Sequence, residues 1–232
     1  MKGWNIAKKS LKRVIRLFEK IREEKSFDLG LLFLGCALQS ILFSHEIVIQ
    51  SDYWTGSQCL ENGVPWQVPD SIYQEDAVCQ REDMVLEFGA GGSTIFFAKR
   101  CKHVLSIETD PNWASLVQHK LDSLNLENVT LICIENQLEI ERFVQDFEMG
   151  HISILSVDTV YGYNRSAFLN GFFQKGISKN LRMIVLDNYA APELFKEHYD
   201  KEAVNLEEWI VFKYDDEHWY GNGTKIYMRK SQ

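Results

Sequence analysis

The fold is decided by residues 84–113, which read MVLEFGAGGSTIFFAKRCKHVLSIETDPNW. The pattern predicts four elements in order: a strand over 84–86, a glycine turn over 89–92, a helix over 95–101 and a strand over 103–107. Each of the two strands ends at an acid, Glu87 in the first and Glu108 in the second. Strand, glycine turn, helix, strand and acid is the arrangement of a nucleotide-binding site in an open parallel sheet.

The glycine turn does not match the dinucleotide fingerprint. That fingerprint is G-x-G-x-x-G, and the sixth position counted from Gly89 is Thr94. The acid before the turn, Glu87, would repel a pyrophosphate but suits a cationic amino group. An NAD-type oxidoreductase is therefore the disfavoured alternative.

The residues of this stretch carry a resemblance to a known family. LEFGAGGST followed by VLSIETDP closely resembles motif I and the second-strand acid of class I S-adenosylmethionine-dependent methyltransferases. S-adenosylmethionine has an ammonium, a sulfonium and a ribose, and it has no phosphate. With Tyr53-Trp54 and Pro65-Trp66 added, the pattern is similar to one branch of small methyltransferases whose substrates are mostly undefined. The resemblance covers roughly residues 52–230.

The resemblance implies a cofactor, S-adenosylmethionine, and a set of residues that bind it. Glu87 would hold the amino group directly or through water, the backbone from Gly89 to Gly91 would pass beneath the cofactor, and Glu108 would bind the ribose diol. Ser93 and Thr94 would flank the carboxylate, and Glu135 or Asn136 would lie near the adenine. The expected cofactor-binding residues are therefore Glu87, Gly89, Ala90, Gly91, Ser93, Thr94, Glu108, Glu135 and Asn136.

Acids follow the other predicted strands as well. Three further parallel strands are predicted over residues 129–134, 152–157 and 181–186, with a closing antiparallel pair over 209–214 and 224–228. The acids that follow them are Glu135, Asp158 and Asp187, although Glu135 or Asp187 could serve only as a helix N-cap. Ligands bind at this carboxyl edge, so we expect Asp158 to be catalytic and to deprotonate or orient an oxygen or nitrogen acceptor.

The fold expected from these elements is α/β: a three-layer α/β/α sandwich with a Rossmann-like, mostly parallel sheet, a C-terminal antiparallel hairpin and an N-terminal helical extension. The implied activity is methyl transfer to a small-molecule acceptor. The alternative is a non-catalytic S-adenosylmethionine-binding protein that is anchored to a membrane or a partner through its N-terminal helices.

A metal site is a separate hypothesis for the carboxyl edge. Asp158 with Asp187-Asn188 resembles the ligands of metal-dependent catechol-type O-methyltransferases. Three oxygen ligands would suit magnesium or calcium. The tract after Asp158 begins with Thr159 and departs from the His-Trp of the catechol enzyme. We therefore expect no metal, and activity that survives chelation.

The charge of the chain is unevenly distributed. The net charge is −8, but residues 1–25 contain nine Lys and Arg against three Glu, which is +6 and leaves −14 on the remainder. Phosphate contacts dominate non-specific binding to nucleic acid, and an acidic body makes few of them. This balance predicts that nucleic acid is not a partner.

The first fifty residues are predicted to be a helical extension, followed by the methyltransferase domain over residues 51–232. Residues 29–44 are uncharged and apolar, yet shorter than the roughly 20 residues of a membrane span. They fit a buried or dimer-forming helix, a membrane-surface anchor together with the basic helix before them, or a span. The expected location is cytoplasmic, with peripheral membrane contact through residues 1–44 or a homodimer as further hypotheses.

Two smaller expectations concern residues outside the motifs. Residues 51–70 are predicted to be irregular, because Pro65 and Pro69 exclude a regular helix. Trp66 in this stretch either packs the linker on the sheet or forms a lid over the cofactor. The five cysteines have no paired spacing, and Cys101 and Cys133 fall inside core elements, which predicts buried, reduced thiols.

Overall fold

The computed structural model describes residues 55–158, 172, 176–189, 207–214 and 223–230. These residues form a seven-stranded sheet with the strand order β3-β2-β1-β4-β5-β7-β6. The strands are β1 (Met84–Phe88), β2 (His103–Glu108), β3 (Val129–Cys133), β4 (Ile154–Val157), β5 (Met183–Asp187), β6 (Trp209–Tyr214) and β7 (Thr224–Arg229). Strands β1 to β5 pair in parallel, and β7 is antiparallel to both β5 and β6. The predicted parallel sheet with an antiparallel C-terminal pair is confirmed.

Helices lie before, between and after the first strands. They are α1 (Gly56–Asn62), α2 (Pro69–Val78), α3 (Gly92–Ala98), α4 (Pro111–Ser123) and α5 (Gln137–Asp146), with a 3-10 turn at Met149–His151. Within the ranges given above, no helix is long and apolar enough to cross a membrane.

Helices cover both faces of the sheet and produce three layers. On one face, Ile72 of α2 and Phe97 of α3 pack in a cluster with Val85 and Val185. On the other face, Ile140 of α5 packs with Leu86, Phe88 and Leu155, among others. Successive residues of a strand point to opposite faces, so the side chain of Glu87 lies on the same face as Val85, under α2 and α3.

The prediction that residues 51–70 lack a helix is wrong. Helix α1 begins after Thr55, whose side chain accepts a hydrogen bond from the Gln58 backbone amide in a capping box. It ends at Gly63, which adopts the left-handed conformation at φ 63°. Pro65 follows the helix, and Pro69 occupies the first position of α2, where a missing amide costs nothing. The prolines therefore separate two helices.

Two other expectations need correction. Helix α3 begins at Gly92 rather than at residue 95, so the last glycine of the turn is helical. Cys101 is buried as predicted, but Cys133 is exposed because it faces outward at the end of the edge strand β3. The helical extension predicted for the first fifty residues lies outside the described residues and stays a prediction.

Candidate functional site

The register of the central strands places two of the predicted acids, Glu108 and Asp158, level with each other at the carboxyl edge. Phe88 of β1 pairs with Ile107 of β2 and with Val157 of β4. The next residue of each strand, Gly89, Glu108 and Asp158, therefore lies at the same height along the carboxyl edge. The strand order reverses between β1 and β4, and open α/β sheets bind ligands at the carboxyl edge beside such a point.

The glycine turn is held by hydrogen bonds to both sides. Gly89 has φ 95°, a conformation that favours glycine, and its amide donates to the Ile107 carbonyl at 2.8 Å. The amide of Ala90 donates to Glu108 Oε2 at 2.9 Å. The amide of Gly91 donates to Thr94 Oγ1 at 2.9 Å. Three successive amides are thus fixed by β2 and by α3.

Glu108 has a structural role in addition to its predicted one. Its Oε1 accepts from the amides of Thr109 at 2.6 Å and Asp110 at 3.0 Å, while Oε2 holds Ala90. The side chain is 2% exposed. The carboxylate therefore couples the start of α4 to the glycine turn. A ribose diol would use the remaining lone pairs of the same oxygens.

Glu87 lies directly beneath the turn and is fully buried. Its Oε2 accepts hydrogen bonds from Thr94 Oγ1 and Ser106 Oγ, each at 2.6 Å. Its Oε1 has no hydrogen-bond partner among the residues that the structure describes. Burial raises the pKa of Glu87 to about 7, while the hydroxyls of Ser106, Ser93 and Thr94 lower it and the charge of Asp158 raises it. The carboxyl is therefore close to half ionised at neutral pH.

A second buried carboxyl, Glu75 of α2, is close enough to Glu87 for their charges to interact. In the described part of the chain neither of its oxygens has a hydrogen-bond partner, and the residue is 0% exposed. Burial, followed by the charges of Asp187 and Glu87, raises the pKa of Glu75 well above its usual range, against a lowering by Arg100. Burial thus favours the protonated form of the Glu75 carboxyl. The sequence does not predict this, because a single acid in a polar helix carries no signal.

The segment between α1 and α2 packs against the glycine turn. A Cβ added at Gly92 would lie 2.1 Å from the Val64 carbonyl oxygen, so this position tolerates no side chain. On the other side of the turn, Trp113 Nε1 donates to the Ala90 carbonyl at 2.7 Å. Trp66 is 39% exposed, and its ring lies beside Gly56, where an added Cβ would be 3.4 Å from it. The predicted lid role of Trp66 stays a prediction.

Asp158 and Asp187 are neighbours across β4 and β5, since the preceding pair, Val157 and Leu186, is in register. The amide of Asp158 donates to the Phe88 carbonyl at 2.7 Å. Burial, followed by the charge of Asp158, raises the pKa of Cys59 in α1 to about 12. Helix α1 therefore lies close to the predicted catalytic acid.

The metal hypothesis concerns the same two strand ends. Asp187 is 2% exposed and accepts from Thr224 Oγ1 at 2.7 Å. In the part of the chain that the structure describes, no group of three His, Cys, Asp or Glu side chains is arranged to hold a metal ion.

Glu135 and Asn136 follow Ile134, whose amide donates to the Glu108 carbonyl at 2.8 Å. Strand β3 ends at Cys133, so Glu135 does not close the strand as predicted, and both residues are exposed. Asn136 caps α5 by accepting from the Leu138 amide at 2.9 Å. Their contact with an adenine stays a prediction, as do the other ligand roles. Ser106 was also missed, although its spacing of two residues from Glu108 places both side chains on one face.

Solved structures share this architecture. A proposed methyltransferase from Streptococcus mutans in complex with SAH matches 66% of this chain and 92% of its own, with 15% identity and a TM-score of 0.50. A proposed rRNA methylase from Clostridium thermocellum matches 71% of this chain and 98% of its own, with 16% identity and a TM-score of 0.52. The chain has the fold of class I methyltransferases. A scan of protein-family models and a search of curated proteins find no match.

The prediction that nucleic acid is not a partner is wrong. The same fold occurs in the rRNA methylase just described, so it does not support that exclusion. The prediction rested on net charge, which sums the whole chain and says nothing of the local surface that meets a phosphate.

Proposed function

We propose that this protein is an S-adenosylmethionine-dependent methyltransferase that acts on an oxygen or nitrogen acceptor. One observation carries the proposal: the amides of the glycine turn are fixed by Glu108 on one side and by Thr94 on the other, directly above the buried acid Glu87. The turn thus presents fixed backbone beside carboxylates, which suits a cationic, phosphate-free cofactor.

The residues at this edge fit S-adenosylmethionine. Next to the turn, Glu87 has a buried carboxylate oxygen for which the described ranges supply no hydrogen-bond partner. With a pKa of about 7, this carboxyl ionises readily when a cationic group comes near. A pyrophosphate would face the charges of Glu87, Glu108 and Asp158 instead.

The cofactor supplies a methyl group activated by its sulfonium. The task of the protein is to align the acceptor with that methyl and to exclude water. Asp158 is partly buried and level with Gly89, so it would accept the proton that the acceptor oxygen or nitrogen loses. Glu108 would bind the ribose hydroxyls while it keeps the turn in shape.

The acceptor that we propose is a small molecule, and the test must include RNA beside it. The full chain would be titrated calorimetrically with S-adenosylmethionine, S-adenosylhomocysteine and NAD. It would then be incubated with methyl-labelled S-adenosylmethionine and either a metabolite extract or total RNA. We expect binding of the first two ligands and label in the metabolite fraction.

Each other outcome has a distinct meaning. Label in RNA would keep the methyltransferase and refute the small acceptor. Cofactor binding without any labelled product would favour the non-catalytic binding protein. Tighter binding of NAD than of S-adenosylmethionine would refute the site assignment itself.

A further inference from the structure

Two cysteines meet at the amino-terminal edge of the sheet, opposite the glycine turn. Cys79 caps the C-terminus of α2, and its amide donates to the Glu75 carbonyl at 2.9 Å. Cys101 follows α3, and its amide donates to the Phe97 carbonyl at 2.8 Å. Both backbones are therefore fixed by the helices that they end.

Contacts on either side hold the two cysteine segments together. They are Arg100 Nε to Asp76 Oδ1 at 2.5 Å, Arg81 Nη1 to the Lys99 carbonyl at 3.1 Å, and the Lys102 amide to the Asp83 carbonyl at 2.9 Å. Asn128 adds a bond to the Cys101 carbonyl at 3.1 Å. The segment over residues 76–83 thus runs beside the segment over 99–102, with the cysteines between the bracketing contacts.

The side chains of the pair lie in the same apolar cluster. A hydrogen bond with the Cys101 side chain, together with burial, raises the pKa of the Cys79 thiol well above its usual range. Both cysteines belong to the same apolar cluster, in which Cys101 is 4% exposed and Cys79 is partly buried. Cys79 is therefore the less buried residue of the two, and it is the one that a small oxidant would meet first.

We propose that Cys79 and Cys101 are an oxidisable pair that closes an intramolecular disulfide. The oxidant class is a peroxide. Cys79 sulfur attacks the peroxide oxygen, which gives a sulfenic acid and one water. Cys101 sulfur then attacks that sulfur and displaces a second water, so the two thiols lose two electrons and the peroxide gains them.

The bond would close a loop that contains β1, the glycine turn and α3. A crosslink of this kind stabilises the folded state by restricting the unfolded chain. The thiolate is the reactive form, so the raised pKa makes the reaction slow at neutral pH and faster at higher pH. The inference does not rest on the proposed enzymatic activity.

Peptide mapping of the full chain tests the pair directly. The protein would be oxidised with hydrogen peroxide at pH 8.5, alkylated and cleaved after glutamate without reduction. Cleavage at Glu75, Glu82, Glu87 and Glu108 places Cys79 in peptide 76–82 and Cys101 in peptide 88–108. We expect these two peptides to be linked, and the link to disappear on reduction.

Melting temperature gives the second readout. Oxidation should raise it by about 5 °C in the native chain and in Cys133→Ser, which removes an exposed cysteine on another element. Cys79→Ser should show no rise. The proposal is refuted if Cys79 or Cys101 links instead to another cysteine. It is equally refuted if Cys79 is over-oxidised beside a free Cys101, or if Cys133 is oxidised while both Cys79 and Cys101 remain alkylatable.

Discussion

Buried acids at the two edges of the sheet have different kinds of partner. At the amino-terminal edge, Asp83 is 3% exposed and forms a two-point ion pair with Arg182. At the carboxyl edge, Glu87 is fully buried and is held by hydroxyl groups, and within the described ranges it forms no ion pair. A paired charge contributes to stability only while the pair is intact, whereas an unpaired one costs stability and stays available to a ligand. The first edge is built for stability and the second for binding.

The largest effect is expected from breaking the paired edge. Asp83→Ala leaves the partly buried Arg182 guanidinium without its carboxylate and should lower the free energy of unfolding by about 3 to 5 kcal/mol. Urea denaturation measures this. The matched control is Glu61→Ala, which removes an exposed partner of Lys120 and should leave the midpoint unchanged. Equal effects of the two variants would contradict the assignment of stability to this edge.

The next effect concerns the pH dependence that Glu87 produces. Its pKa is about 7 in the folded protein against 4.5 for the free side chain, so the unfolded chain ionises first as pH rises. Stability from this group is therefore complete below pH 4.5, falls through pH 7 and is constant above it, a loss of about 3 kcal/mol. Glu87→Gln should remove this loss, as measured by urea denaturation at pH 5 and pH 8.

Glu82→Gln is the control for this pH experiment, because Glu82 is exposed at the other end of β1 and its loss changes net charge equally. It should keep the native pH dependence. The pKa of Glu75 is also raised in the folded protein, so it lowers stability with rising pH in the same direction. The unfolding free energy of Glu87→Gln should therefore keep part of its pH dependence. If Glu87→Gln lost as much stability between pH 5 and pH 8 as the native protein, Glu87 would not be the titrating group.

The sequence predicts some of these features and leaves others open. Apolar residues and the glycine turn predicted the strands, because the pattern that marks a strand is local in sequence. The position of Glu108 beside Gly89 at the carboxyl edge could be predicted, because the strands before them pair in parallel. The raised pKa of Glu75 could not be predicted, since it depends on where α2 packs on the sheet. The contact between Cys79 and Cys101 likewise depends on two helix ends that are distant in sequence.

Cofactor affinity separates the two strand-end acids that the sequence treated alike. Glu108→Ala should weaken S-adenosylmethionine by about 1.5 to 3 kcal/mol, because it removes a charged partner and leaves the Ala90 amide unpaired. Glu135→Ala removes an exposed acid beyond the end of β3, so its predicted contact near the adenine should contribute less and the affinity should fall by a smaller amount. Calorimetry on both folded variants decides this. Equal affinity of Glu108→Ala and the native protein would contradict the role of Glu108.

The smallest expected effect is that of chelation. Asp158 and Asp187 are neighbours at the ends of β4 and β5, and a metal would have to draw ligands from both. Asp187 is 2% exposed, and Thr224 already donates to its Oδ1, so coordination there would displace a buried hydrogen bond. We therefore expect the rate of methyl transfer to be unchanged by EDTA and by added magnesium, measured once an acceptor is known. Loss of turnover with EDTA and recovery with magnesium would instead make Asp158 a metal ligand rather than a base, and the carboxyl edge would then hold a cation of its own.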